Sequence, residues 1–137
     1  MNRNINLIID DSGSIEGYQN IKIQELNNVV NGFINSVVCE CLDKIDFQQR
    51  SDVFRAIIGK LAFEGHATFK FINATILASR ILKNDIDAKK ISDFLKDAKS
   101  VWTESVITEI FSSLPNIQIE KHYIEHIYTV ITITKKL

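Results

Sequence analysis

A short run of branched apolar residues, Ile5-Asn6-Leu7-Ile8-Ile9, breaks abruptly into Asp10-Asp11-Ser12-Gly13-Ser14. A branched run this short reads as a buried strand, and the polar cluster after it reads as a turn. A long segment of helical period follows. Leu26, Val29, Val30, Phe33, Ile34, Val37, Val38, Cys41 and Leu42 recur at three- and four-residue spacing, which predicts a helix from about residue 20 to about 43. Its other face would carry Asn27, Asn28, Asn31, Asn35 and Glu40. Strand, polar turn and helix in that order point to an α/β sheet, where the turn lies at the carboxyl end of a strand.

The middle of the chain admits two readings. Asp46 with Gln49 three residues on has the form of a capping box and starts a helix at Phe47, and Phe54, Ile57, Ile58 and Leu61 continue its spacing. The stretch Ile57–Phe63 also reads as a strand, Glu64-Gly65-His66 as a turn and Ala67–Ile72 as a second, alternating strand. The hairpin is the expectation. If residues 47–83 are instead all helical, the chain is a helix-rich α+β domain with its N- and C-terminal strands paired.

Beyond Ala74 the pattern is helical through Ile76, Leu77 and Ile81. Asp87 is a suitable N-cap for a helix that buries Ile91, Phe94, Leu95 and Ala98. Another helical segment carries Val106, Ile107, Ile110, Phe111 and Leu114, and Pro115-Asn116 stops it. Tyr128–Thr134 is dense in β-branched residues and reads as a strand, closed by Lys135 and Lys136. No linker or repeat divides the 137 residues, so a single domain over 1–137 is expected.

Composition narrows the function. Sixteen basic and seventeen acidic residues leave a net charge of −1, without the basic footprint of a nucleic-acid binder or a polybasic membrane anchor. No apolar run approaches the roughly 18 residues of a membrane span, and the first residues do not form a signal peptide. The only cysteines are Cys39 and Cys41. On the expected helix they would point to nearly opposite sides and not pair. Two buried free thiols suit a reducing, cytoplasmic setting.

The loop after the first strand fits D-x-S-x-S, offering one carboxylate and two hydroxyls within a single turn. Hard oxygens in that number suit Mg²⁺. The stretch Leu7–Ile15 resembles the first strand and metal-ion-dependent adhesion motif of the von Willebrand factor A-type (VWA) domain. That resemblance implies a small VWA/Rossmann-like α/β sheet of about four strands flanked by helices. It implies a protein-binding module assisted by Mg²⁺ or Mn²⁺, with an acidic residue of a protein partner completing the metal shell. Asp10, Ser12 and Ser14 would be ligands, joined by Thr103 from the loop Val101-Trp102-Thr103-Glu104-Ser105. The family's further Asp, at the end of a later strand, has no counterpart after Ile133-Thr134.

The same loop also reads as a plain turn and helix cap. Two other functions therefore stand beside the first: a metal-free interaction protein (immunity, adaptor or assembly factor), and a small enzyme with a site assembled from distant loops. No G-x-S-x-G is present, and Gly59-Lys60 does not belong to a P-loop. His122 and His126, beside the final strand, would lie roughly 13 Å apart, too far to share one ion, so they read as surface residues. Trp102 reads as a core residue or as a partner anchor.

Overall fold

A computed structural model describes residues 3–9, 13–96 and 98–137, with the side chain of Phe47 also left aside. Six strands form one sheet: β1 (Asn4–Ile8), β2 (Gln19–Lys22), β3 (Ile34–Cys39), β4 (Leu61–Ile72), β5 (Ile117–Glu125) and β6 (Tyr128–Lys135). The spatial order is β2-β1-β3-β4-β6-β5. The first four strands run parallel, and β6 is antiparallel to both β4 and β5. Among the described residues there are four α-helices: α1 (Arg50–Lys60), α2 (Ala74–Leu82), α3 (Ala88–Leu95) and α4 (Glu104–Ser113).

Strand register explains which residues go inside. Ile5, Val37, Ala67 and Ile133 lie in one row across the sheet, and Leu7, Cys39, Phe69 and Ile131 in the next. All eight belong to one buried cluster, closed by Phe54 and Ile57 of α1 and by Ile107, Ile110 and Phe111 of α4. Phe54 is its hub, meeting Phe69, Phe111 and Trp102 edge-on at centroid distances of 4.9, 5.2 and 5.8 Å. Each such pair contributes about 0.5–1.5 kcal/mol beyond area burial.

The opposite face has a different chemistry. Its rows are Asn6, Val38, Thr68 and Thr132, and Asn4, Ser36, His66 and Thr134. Thr68 and Thr132 share a hydrogen bond of 3.1 Å, and His66 Nδ1 lies 2.9 Å from Thr134 Oγ1. Parallel sheets are usually covered on both faces and apolar on both. Here one face is built of apolar residues under α1 and α4, and the other is largely polar. A smaller cluster of Ile72, Leu77 and Ile127, flanked by Ile86, Phe94 and Tyr128, anchors α2 and α3 at the far end of β4.

The expected helix over residues 20–43 does not form. That segment holds β2, a 3-10 helix over Ile23–Asn28, and β3. Val37, Cys39 and Cys41 are buried at alternate positions, the period of an extended chain, and Asn27, Asn28, Asn31 and Gly32 are poor helix formers. The hairpin is replaced as well. Residues 57–60 finish α1, and Leu61–Ile72 is one continuous strand. The turn signal at Glu64-Gly65-His66 marks a bulge: Ile34 pairs with Leu61 but Ser36 with His66, and Glu64 has φ 63°. The sheet has six strands, not four. The all-helical alternative also fails, since β1 pairs with β2 and β3 while β6 pairs with β4 and β5. The later helices and the last strand form, with Asp87 Oδ1 accepting from Lys90 N at 2.9 Å, but the helix that Asp87 caps ends at Leu95, leaves Leu95 exposed and does not reach Ala98. No helix among the described residues is long and apolar enough to cross a membrane.

Candidate functional site

The chain passes from β1 to β2 on one side of the sheet and then places β3 on the other side of β1. Strand order therefore reverses between β1 and β3, and open α/β sheets bind ligands outside the carboxyl ends of strands at such a point. A cleft of about 190 Å³ lies there, walled by Asn6–Ile9 and Gly13 on one side and by Glu40, Cys41 and Lys44 on the other.

Two asparagines hold one wall. Asn6, 1% exposed between Ile5 and Leu7, donates from Nδ2 to Gly13 O (2.7 Å) and to Asn20 Oδ1 (2.8 Å). Asn20 Oδ1 also accepts from Ile15 N at 3.0 Å. Together they tie the loop after β1 to the strand beside it. The sequence reading missed both. The signal was a lone amide in a run of branched apolar residues, since a buried amide needs partners.

Cys39 and Cys41 form the opposite wall's interior. Cys39 ends β3 and Cys41 follows two residues later, so the two share a side of an extended chain rather than opposite sides of a helix. Their sulfurs are 3.9 Å apart, and Cys41 Sγ lies 3.6 Å from Leu7 O. The expectation that they point apart is corrected with the helix it assumed. The thiol–thiol hydrogen bond raises Cys39 well above an ordinary thiol, with burial adding to it, and the same bond lowers Cys41. Burial also pushes the neighbouring Asp43 carboxyl up. The backbone carbonyl of Asp43 accepts from Lys99 N at 2.7 Å and Ser100 N at 3.1 Å, joining this loop to the segment before α4.

A second hollow, of about 420 Å³, lies between α2, α3 and the β5–β6 turn. Phe94 and Tyr128, 6.1 Å apart and edge-to-face, stand in its wall beside Arg80, Lys90, Asp93 and His126. Burial raises the Tyr128 hydroxyl, and the Asp43 carboxylate adds to the shift.

Of the four sequence-derived metal ligands, only Ser14 and Thr103 fall among the described residues. Asp10 and Ser12 lie outside the described residues. Ser14 is exposed and does not line the cleft. Thr103 is the N-cap of α4, its Oγ1 accepting from Val106 N at 3.4 Å. It follows Trp102, which is bridged to Asn73 beyond β4. β4 is two strands from β1, roughly 9–10 Å across the sheet, whereas Mg²⁺–oxygen bonds are about 2.1 Å. Among the described residues no group of three His, Cys, Asp or Glu could hold a metal ion. Trp102 is a core residue, its indole N–H donating to Ser100 Oγ at 3.2 Å. His122 lies exposed on β5, and His126 occupies the β5–β6 turn with φ 56°.

The sequence matches no protein-family model and no curated protein. Solved structures do share its architecture. A SAM-dependent methyltransferase from Archaeoglobus fulgidus superposes with a TM-score of 0.63 at 12% identity, covering 96% of this chain and 75% of that one. An S-adenosylmethionine-dependent methyltransferase from Mesorhizobium loti gives 0.63 at 11% identity, over 96% and 80% of the two chains. A putative type 11 methyltransferase from Sulfolobus solfataricus gives 0.54 at 11%, over 97% and 70%. These findings overturn the VWA resemblance and the Mg²⁺- or Mn²⁺-assisted protein-binding module drawn from it. That reading rested on a polar loop followed by a long helix, and the helix is absent. The metal-free interaction protein and the enzyme of no stated class gain no support either. The chain has the fold of S-adenosylmethionine-dependent methyltransferases.

Proposed function

We propose that this chain is a methyltransferase-type protein that binds an adenosyl compound of the S-adenosylmethionine class in the cleft between the carboxyl ends of β1 and β3. The observation that carries this reading is the cleft's position, at the strand-order reversal of a fold shared with methyltransferases. Some of the wall suits such a ligand. Ile8 and Ile9 offer apolar surface to a purine, the Glu40 carboxylate can accept from ribose hydroxyls, and the Lys44 ammonium can face a carboxylate.

Two features do not fit the whole cofactor. The cleft's 190 Å³ falls short of the roughly 300–1,000 Å³ that encloses ligands of that size. The turn after β1 also lacks the G-x-G-x-x-G pattern that lets a nucleotide approach the backbone closely. The residues present suit part of S-adenosylmethionine rather than the whole of it. The larger hollow beside Phe94 and Tyr128 is the candidate position for a second reactant.

Calorimetric titration with S-adenosylmethionine and S-adenosylhomocysteine tests this. Saturable binding that Ile9→Trp or Glu40→Ala weakens at least about tenfold, or 1.4 kcal/mol, is expected. Absence of binding at millimolar ligand, or binding untouched by both substitutions, would overturn the proposal.

A further inference from the structure

We propose that Cys39 and Cys41 are a peroxide-oxidisable dithiol that closes to an intramolecular disulfide in the wall of the switch-point cleft. The geometry carries it. The two sulfurs face each other at 3.9 Å with both side chains buried. A disulfide is about 2.05 Å long, so closure needs an approach of roughly 1.9 Å shared between two side chains.

Access distinguishes the two sulfurs. Cys41 lines the cleft and is 6% exposed, whereas Cys39 is 0% exposed. A cleft of about 190 Å³ admits hydrogen peroxide. The shared hydrogen bond favours the thiolate at Cys41 and the thiol at Cys39, and the thiolate is the nucleophile. Cys41 is therefore the attacking sulfur and Cys39 the resolving one.

The chemistry balances. Cys41 thiolate attacks one peroxide oxygen, the O–O bond breaks, and hydroxide leaves and takes up the proton that Cys41 released. Cys41 is now a sulfenic acid. Cys39 sulfur attacks Cys41 sulfur, the S–S bond forms, the S–O bond breaks, and water departs with the Cys39 proton. Two thiols are oxidised by two electrons, and one peroxide is reduced to two waters. Closure draws Cys41 Sγ, which lines the cleft, toward Cys39 and alters the cleft wall.

The test treats the full chain with stoichiometric hydrogen peroxide and follows intact mass and alkylatable thiols. The expected result is a monomer lighter by two hydrogens, with no free thiol, restored by dithiothreitol. Cys39→Ser should trap a sulfenic acid at Cys41 that dimedone labels. Cys41→Ser should leave Cys39 at least about tenfold slower to oxidise. Retention of both thiols in the wild type, disulfides only between chains, or faster oxidation of Cys39 than of Cys41 would each overturn the proposal.

Discussion

Replacing Gly65 by Ala and replacing Gly59 by Ala are the same chemical change, and the fold gives them opposite signs. A Cβ on Gly65 would stand 2.8 Å from Ala62 O, 3.0 Å from Ile34 O and 3.2 Å from Asn35 O. All three are backbone atoms of the bulge in β4 and the start of β3, so no side-chain rotation relieves the contact. Overpacking of this kind costs about 1–3 kcal/mol, and clashes with backbone on two strands put Gly65→Ala at the upper end, about 2–3 kcal/mol. For a domain of this size each kcal/mol lowers Tm by about 3–5 °C, so Tm should fall by roughly 6–15 °C. Gly59 lies inside α1 with open space around its Cβ position. Removing a helical glycine there should stabilise by about 0.5–1 kcal/mol. Urea unfolding followed by circular dichroism measures both. If the space around the Gly65 Cβ position were open, as it is at Gly59, Ala would be nearly neutral there. A Gly65→Ala midpoint within about 0.5 kcal/mol of wild type would therefore refute the bulge.

Asn73 is buried beyond the end of β4. Its Oδ1 caps α2 by accepting from Thr75 N (2.9 Å) and Ile76 N (3.1 Å), while its Nδ2 donates to Thr129 Oγ1 (2.8 Å) and to Glu104 Oε1. Asn73→Ala loses a cap and leaves Thr129 unpartnered, at a cost of about 2–4 kcal/mol in urea unfolding; a loss below about 1 kcal/mol would remove Asn73 from that role. Burial raises the Asp43 carboxyl, so the folded state holds its proton more tightly than the unfolded state. The resulting stabilisation is complete below the ordinary value near 3.9 and is lost as pH rises through the raised folded value. Asp43→Asn should therefore gain on wild type as pH rises from about 4 toward 7, and a flat or reversed difference in urea midpoints would contradict the burial.

The sequence was most legible where a segment was polar at its ends and apolar in one period. The first strand, the Asp87 cap, the Pro115 stop and the Tyr128–Thr134 strand are of that kind. It was least legible between residues 20 and 43, where Val29, Val30, Phe33, Ile34, Val37 and Val38 repeat at helical spacing although Ile34–Cys39 is a strand. Tertiary pairing decides there, because β3 gains a parallel neighbour on each side and no local signal records it. The bulge at Gly65 was misread for a related reason: turn residues mark any backbone kink, including one inside a strand. The cleft was half visible. The loop after β1 drew attention for its Asp and Ser oxygens, while Asn6 and Asn20, which fasten that loop, and Cys41, just beyond β3, become a site only through strand order.

Mapping of backbone amide shifts by heteronuclear NMR during titration with S-adenosylhomocysteine tests the central claim most directly. Saturable shifts confined to Asn6–Ile9, Gly13 and Glu40–Lys44 are expected. Shifts that appear only around Phe94 and Tyr128, or none at millimolar ligand, would contradict it.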